Sequence, residues 1–235
     1  MKQGSIWVFW TLLLAITHGW AQVATIDTRG MKLVPLPLPI AEGGGIGGGN
    51  RADLQLQLSL TDPSNLVVGE PFEYELLVTN RSSHPIAIPR SVGLDGILDL
   101  GQREQHYQYM QFEFEIFVDN GDVGFIHQPL KVYGKESAPS TVLTLQPGDA
   151  VRILGSTSFA PRWAKQPPTP ASSKRLMAFL IIGSDHVFPI DSEGKRYRSE
   201  ARQTYSLETD GTLRIDFTDG SSAESSSTAG SSLRH

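Results

Sequence analysis

"DLQLQLSL", residues 53–60, keeps a strict two-residue beat. Side chains along a strand point alternately to opposite faces. Leu54, Leu56, Leu58 and Leu60 therefore form an apolar face, and Asp53, Gln55, Gln57 and Ser59 a polar one. This is the pattern of a half-buried strand, and "DPSN" at 62–65 ends it with turn-forming residues. The beat returns in "PFEYELLVTN", 71–80, with Phe72, Tyr74, Leu76 and Val78 on one face. It returns again in "MQFEFEIFVDNGD", 110–122, where Met110, Phe112, Phe114, Ile116 and Val118 face inward. Tyr107 and Tyr109 sit in the opposite phase, which predicts a β-bulge near Tyr109 or Met110.

"DNGD" at 119–122 predicts a hairpin returning through Val123–Ile126. Further strands are expected at Thr141–Leu145, Ala150–Leu154, Leu176–Ile182, Arg202–Leu207 and Thr212–Phe217. "PGD" at 147–149 turns the first of these into the second, and "TDG" at 209–211 precedes the last. "LMAFLII", 176–182, is apolar without a beat, as in a central strand buried on both faces or a short helix; its length and the isoleucine pair favour a strand. No segment carries a helical period. Many short strands between turns predict an all-β sandwich or barrel.

Outside this region the chain changes character. "IWVFWTLLLAI", Ile6–Ile16, follows the basic Lys2, and "GWA" closes at Ala21 with small residues where a signal peptidase reads them. The run is shorter than the roughly 20 helical residues that cross a bilayer core, so residues 1–21 read as a signal peptide. The alternative is an uncleaved anchor with Trp7, Trp10 and Trp20 at the interface; membrane contact is expected in no other way. Residues 22–52 read as an arm: Pro35, Pro37 and Pro39 stiffen it, and "GGGIGGG", 43–49, loosens it. Residues 219–235 are a serine-rich tail with almost nothing apolar to bury, expected to be disordered. One β-sandwich domain is left, 53–218.

The chain has no cysteine, which excludes a disulfide framework, a thiolate metal site and a lipidated cysteine. For an exported domain this favours a bacterial periplasmic or extracellular setting. The formal net charge of −5 becomes one unit more negative without Lys2. Such a balance argues against nucleic acid or an anionic membrane surface as the main partner.

"LSLTDPSNLVVGEPFEYELLVTNRSSHPIAIP", 58–89, resembles the opening of bacterial immunoglobulin-like domains of exported proteins, through Val67, Gly69, Glu70, Tyr74, Leu76, Val78 and Asn80. "LTLQPGDAVRI", 143–153, resembles a later strand-turn-strand of the same sandwiches. The resemblance covers roughly a quarter of the chain and speaks to fold. It implies an immunoglobulin-like antiparallel β-sandwich, used in adhesion, envelope assembly or substrate binding. Such a domain has about 100 residues, so long insertions or extra strands are implied over 91–140 and 155–173. The cysteine pair of antibody-type domains is missing, and "KRLMAFLIIG" lacks the expected tyrosine.

Catalysis needs converging reactive groups. Glu73, Glu75, Glu113 and Glu115 alternate with core residues and are expected on a solvated face. His84, His106, His127, His186 and His235 have no metal-site spacing and read as scattered loop histidines. No serine sits in a nucleophile elbow, and "DNGD" and "DSEGKR" lack the length of a calcium loop. The glycine run is followed by a strand and no lysine, so it is not a phosphate cradle. "NRS" at Asn80 fits a glycosylation sequon. Lys195, Arg196, Arg198 and Arg202 form a basic cluster that guards an edge strand or meets an acidic partner. Tyr107, Tyr109 and Trp163 are the candidate exposed aromatics.

The expectation is thus a non-catalytic exported module with no cofactor and no metal, binding another envelope or extracellular protein. Tyr107, Tyr109, Trp163, Arg196 and Arg198 are its candidate interaction surface. A carbohydrate-binding module on the three aromatics is the alternative, with polysaccharide as its partner, and a secreted hydrolase comes third.

Overall fold

The computed structural model describes residues 22–31, 53–92, 105–165, 167–169, 172–187 and 200–218. In chain order the strands begin with β1 (Val23–Asp27), β2 (Leu54–Leu60), β3 (Leu66–Val67), β4 (Pro71–Asn80), β5 (Ile86–Pro89), β6 (Ser91–Val92), β7 (Gln105–Val118) and β8 (Val123–Lys135). They continue with β9 (Val142–Leu145), β10 (Ala150–Ser158), β11 (Arg162–Trp163), β12 (Lys174–Val187), β13 (Glu200–Glu208), β14 (Leu213–Ile215) and β15 (Phe217–Thr218). The protein is all-β. The predicted signal peptide, most of the arm and the serine-rich tail lie outside the described residues.

Two sheets carry the architecture. The smaller has the order β1-β10-β4-β2; the larger runs β11-β8-β7-β12-β13, with β6 and β14 added at its margins. The alternating strands meet face to face. Phe72 and Tyr74 of β4 pack on Phe114 of β7 with ring centroids 5.8 and 4.9 Å apart, and Tyr74 lies 6.3 Å from Phe112. Val151 and Ile153 of β10 join Leu176, Ala178 and Leu180 of β12 in the same core. Each of the larger side chains withdrawn from water contributes about 1.5–3 kcal/mol. The stretch 91–140 is no appendage: β7 and β8 are central strands of the larger sheet, joined by the predicted turn, in which Gly121 takes a φ of +84°.

Several expectations need correction. The arm predicted over 22–52 begins as part of the sandwich. Val23–Asp27 pairs parallel with Ala150–Leu154, with Ile26 in the core and Ala24 packed against it, while Val23 stays exposed. "PGD" does not close a hairpin; β9 pairs with β5 and β10 with β4, so the chain crosses between sheets there. No bulge interrupts β7 at Tyr109 or Met110. Its pairing with β12 is unbroken from Gln105 to Val118, and the irregularity falls against β8, between Gln111 and Glu113. β8 supplies the extra residues: Lys131 faces Gln111, but His127 faces Glu113.

Asn80 ends β4 in the core, fully buried. Its Nδ2 donates to the carbonyls of His84 and Leu145, each at 2.9 Å, and its Oδ1 accepts from the Ser82 N–H at 2.9 Å. Both ends of the amide are thus spent, on the following turn and on the end of β9, as a buried amide requires. The nitrogen that a sequon glycan would occupy is inside the protein.

Candidate interaction face

The outward side chains of the larger sheet come from odd-numbered positions of β7 and β12, whose even-numbered neighbours fill the core. Register lines these residues up in rows. Arg162, Phe125, Glu115 and Met177 cross the sheet in one row. Glu113, Phe179 and Glu208 follow, then Gln111, Ile181 and Ser206. Phe117 and Arg175 stand on the other side of the first row. Phe117, Met177, Phe179 and Ile181 are half-buried, and Phe125 is 37% exposed. A solvated sheet face does not normally carry aromatic and aliphatic residues on adjacent strands; such patches mark contact sites.

Carboxylates are set among these apolar groups. The pKa of Glu115 is raised, first by partial burial and then by the nearby charges of Glu113 and Glu208. Three like charges on a partly dehydrated surface repel one another, and a cation brought to them relieves that repulsion. Cations share the face: Arg162 stands beside Phe125, Lys131 opposite Gln111, and Arg175 pairs with both Phe117 and Arg214, so its charge is mixed in sign. Glu73 and Glu75 sit elsewhere, on the outer face of the smaller sheet, so the two glutamate pairs never approach one another.

The candidate aromatics do not form an exposed platform. Tyr107 and Tyr109 are 1% and 5% exposed. Tyr109 lies 6.3 Å from the Tyr133 ring, with Lys131 Nζ 5.2 Å above it. Its ring also covers Gly183, where a Cβ would stand 2.6 Å from Tyr109 Cε1. Trp163 is half-buried, stacked on Phe217 at 5.9 Å and pressed against Gly124. The exposed rings a carbohydrate platform needs are therefore not found at these three positions. Arg196 and Arg198 lie outside the described residues. The residues that do form the half-exposed face, Met177, Phe179 and Ile181, were signalled by the missing beat in "LMAFLII". They are not buried on both faces.

Elsewhere, a shallow groove runs between β2 and residues 209–213. Its carboxylates are engaged: Glu75 pairs with Arg152 at 3.0 Å, and Asp210 accepts from Gln55. His106 and His186 are not loop residues but face each other in the β7–β12 register. Among the described residues, no three His, Asp or Glu gather as a metal site would require.

No family model matches the chain, and no curated protein does. Among solved structures it is similar to the sporulation control protein Spo0M of Bacillus subtilis, at 10% identity and a TM-score of 0.32 over 70% of this chain. It is similar to the CARDB domain of the PF1109 protein of Pyrococcus furiosus, a complex with di-metal ions, at 11% identity and a TM-score of 0.27, covering 74% of this chain and 95% of that one. A third is the alkylpurine DNA glycosylase AlkC of Pseudomonas fluorescens, at 11% identity and a TM-score of 0.31 over 73% of this chain. The chain spans 49% of the Spo0M chain and 32% of AlkC. None of them lends this chain a ligand or an activity.

Proposed function

We propose that this chain is a non-catalytic, exported module of the immunoglobulin-like type that holds another envelope or extracellular protein against the outer face of its larger sheet. The observation that carries this reading is the half-exposed set Phe117, Phe125, Met177, Phe179 and Ile181, interleaved with Glu113, Glu115 and Glu208. The partner presents an apolar strip, with basic side chains toward Glu113, Glu115 and Glu208 and acidic ones toward Arg162 and Arg175. Aromatic anchors with charged residues around them are what a selective protein contact uses. Export rests on the apolar run Ile6–Ile16 and the small residues ending at Ala21.

The test is site-specific photocrosslinking in the source cells, with a photoreactive phenylalanine analogue in place of either Phe179 or Gln57. Gln57 is the control, exposed on the opposite outer face. One protein adduct from position 179, absent from position 57 and lost on Glu113→Lys with Glu115→Lys, is the expected result. Adducts of equal yield from both positions, or none at 179, would rule the reading out.

A further inference from the structure

Gln22, just before β1, already holds that strand's register. Its carbonyl accepts from the Ala150 N–H at 2.9 Å, and its backbone nitrogen donates to Asp149 Oδ1 at 3.0 Å. The carboxylate is held for this contact. Asp149 Oδ2 accepts from the Gln146 N–H at 3.0 Å, and the Asp149 N–H donates to the Gln146 carbonyl at 2.9 Å. The Asp149 carbonyl in turn accepts from the N–H of the buried Asn80 at 2.9 Å. One carboxylate oxygen closes the turn; the other points at the nitrogen of Gln22.

We propose that Asp149 is the seat of the α-ammonium group created when a leader is removed after Ala21. This rests on the export reading above. Cleavage there converts the Gln22 amide nitrogen into a charged amine beside a carboxylate already aimed at it. The first residue of the processed chain then lies one position before β1, and its charge pins that strand to the turn before β10.

The pairing has a chemical consequence. A free N-terminal glutamine cyclises when its neutral α-nitrogen attacks its own side-chain Cδ. The new C–N bond closes a five-membered lactam, the Cδ–Nε2 bond breaks, and ammonia leaves with a proton from the amine. A protonated amine has no lone pair for this attack. An α-amino group ordinarily titrates at about 7.7–8.0, and a carboxylate within hydrogen-bond distance favours its charged form. Asp149 therefore keeps the terminus open and charged at neutral pH.

The experiment follows loss of ammonia by intact mass in the processed chain, 22–235, at about pH 7.5, a pH close to the ordinary α-amino value. The wild type is compared with Asp149→Asn, which keeps an acceptor for Gln146. Cyclisation about two- to fivefold slower in the wild type, as expected for an exposed ion pair, supports the seat; equal rates overturn it. A second arm needs no variant: raising salt from about 0.05 M to about 1 M screens the pair and speeds the wild-type reaction. A salt-independent wild-type rate overturns the proposal as well. N-terminal sequencing of the exported protein tests the processing separately. A chain starting at Gln22, open or as the lactam, supports it, and any other start overturns it while leaving the interaction face untouched.

Discussion

On the outer face of the smaller sheet, Gln57, Ser59, Glu73 and Glu75 stand in the rows formed by β2, β4 and β10, and Arg152 closes on Glu75 at 3.0 Å. Arg29 reaches both Asp27 and Glu73 at its margin. On the outer face of the larger sheet the same positions of the alternation hold Phe117, Phe125, Met177, Phe179 and Ile181. The pleat treats both faces alike; it decides only which way a side chain points. What lies beyond the sheet decides which residues the outward positions need. One face is furnished mostly for water: Leu77, between Gln57 and Arg152, is its apolar exception, and Glu73 and Glu75 are ion-paired. The other sets Glu113, Glu115 and Glu208 among apolar groups, with Arg162, Arg175 and Lys131 in the neighbouring outward positions.

Phe114→Ala gives the largest expected effect and sets the scale, because this ring belongs to the core that both sheets share. It is fully buried between Phe72 and Tyr74, and its removal should destabilise the fold by about 3–5 kcal/mol in urea titration. Phe179→Ser, on the apolar outer face, should lower stability by about 1 kcal/mol and abolish the photocrosslinked complex. A loss as large as that of Phe114→Ala would make Phe179 a core residue and erase the contrast between the faces. Arg152→Ala, on the polar face, should lower stability by about 0.2–1 kcal/mol at low salt and by less at high salt, with partner capture unchanged.

Glu115→Gln should give the smallest effect and a stabilising one. The raised pKa of Glu115 means the folded state favours its protonated form. That contribution is complete below the ordinary value of 4.5 and is lost as pH rises through the raised one. At pH 7 the substitution should therefore raise Tm by about 1–2 °C, and below pH 4 it should change nothing. An equal shift at both pH values would mean that charge on this face is irrelevant.

The strands were legible wherever one face is buried and the other wet. Leu54–Leu60, Phe72–Val78 and Met110–Val118 announce themselves because their period matches the pleat. β1 was not legible: five residues with one core side chain, Ile26, carry too little pattern, and their partner lies more than 120 residues away. The burial of the candidate aromatics is hidden from the sequence for a related reason. Tyr107 and Tyr109 share the outward phase of Glu113 and Glu115, but no pattern along one strand reveals Tyr133 or Lys131 arriving from β8. "LMAFLII" held the better signal. Its odd positions are apolar without being fully buried, and periodicity alone cannot separate a second core from a surface kept for a partner.

Asn80 carries one more implication. Its sequon is intact in the chain, yet its nitrogen is hydrogen-bonded inside the folded protein. In any compartment that attaches glycans to such sequons, sugar transfer and the closing of the turn after β4 run as a race for the same atom. A chain that loses the race has a bulky group where two carbonyls were to be satisfied, and it cannot complete the sandwich. The sugar would then mark the molecules that were too slow to fold, and the fraction bearing it would time how soon β4 is sealed.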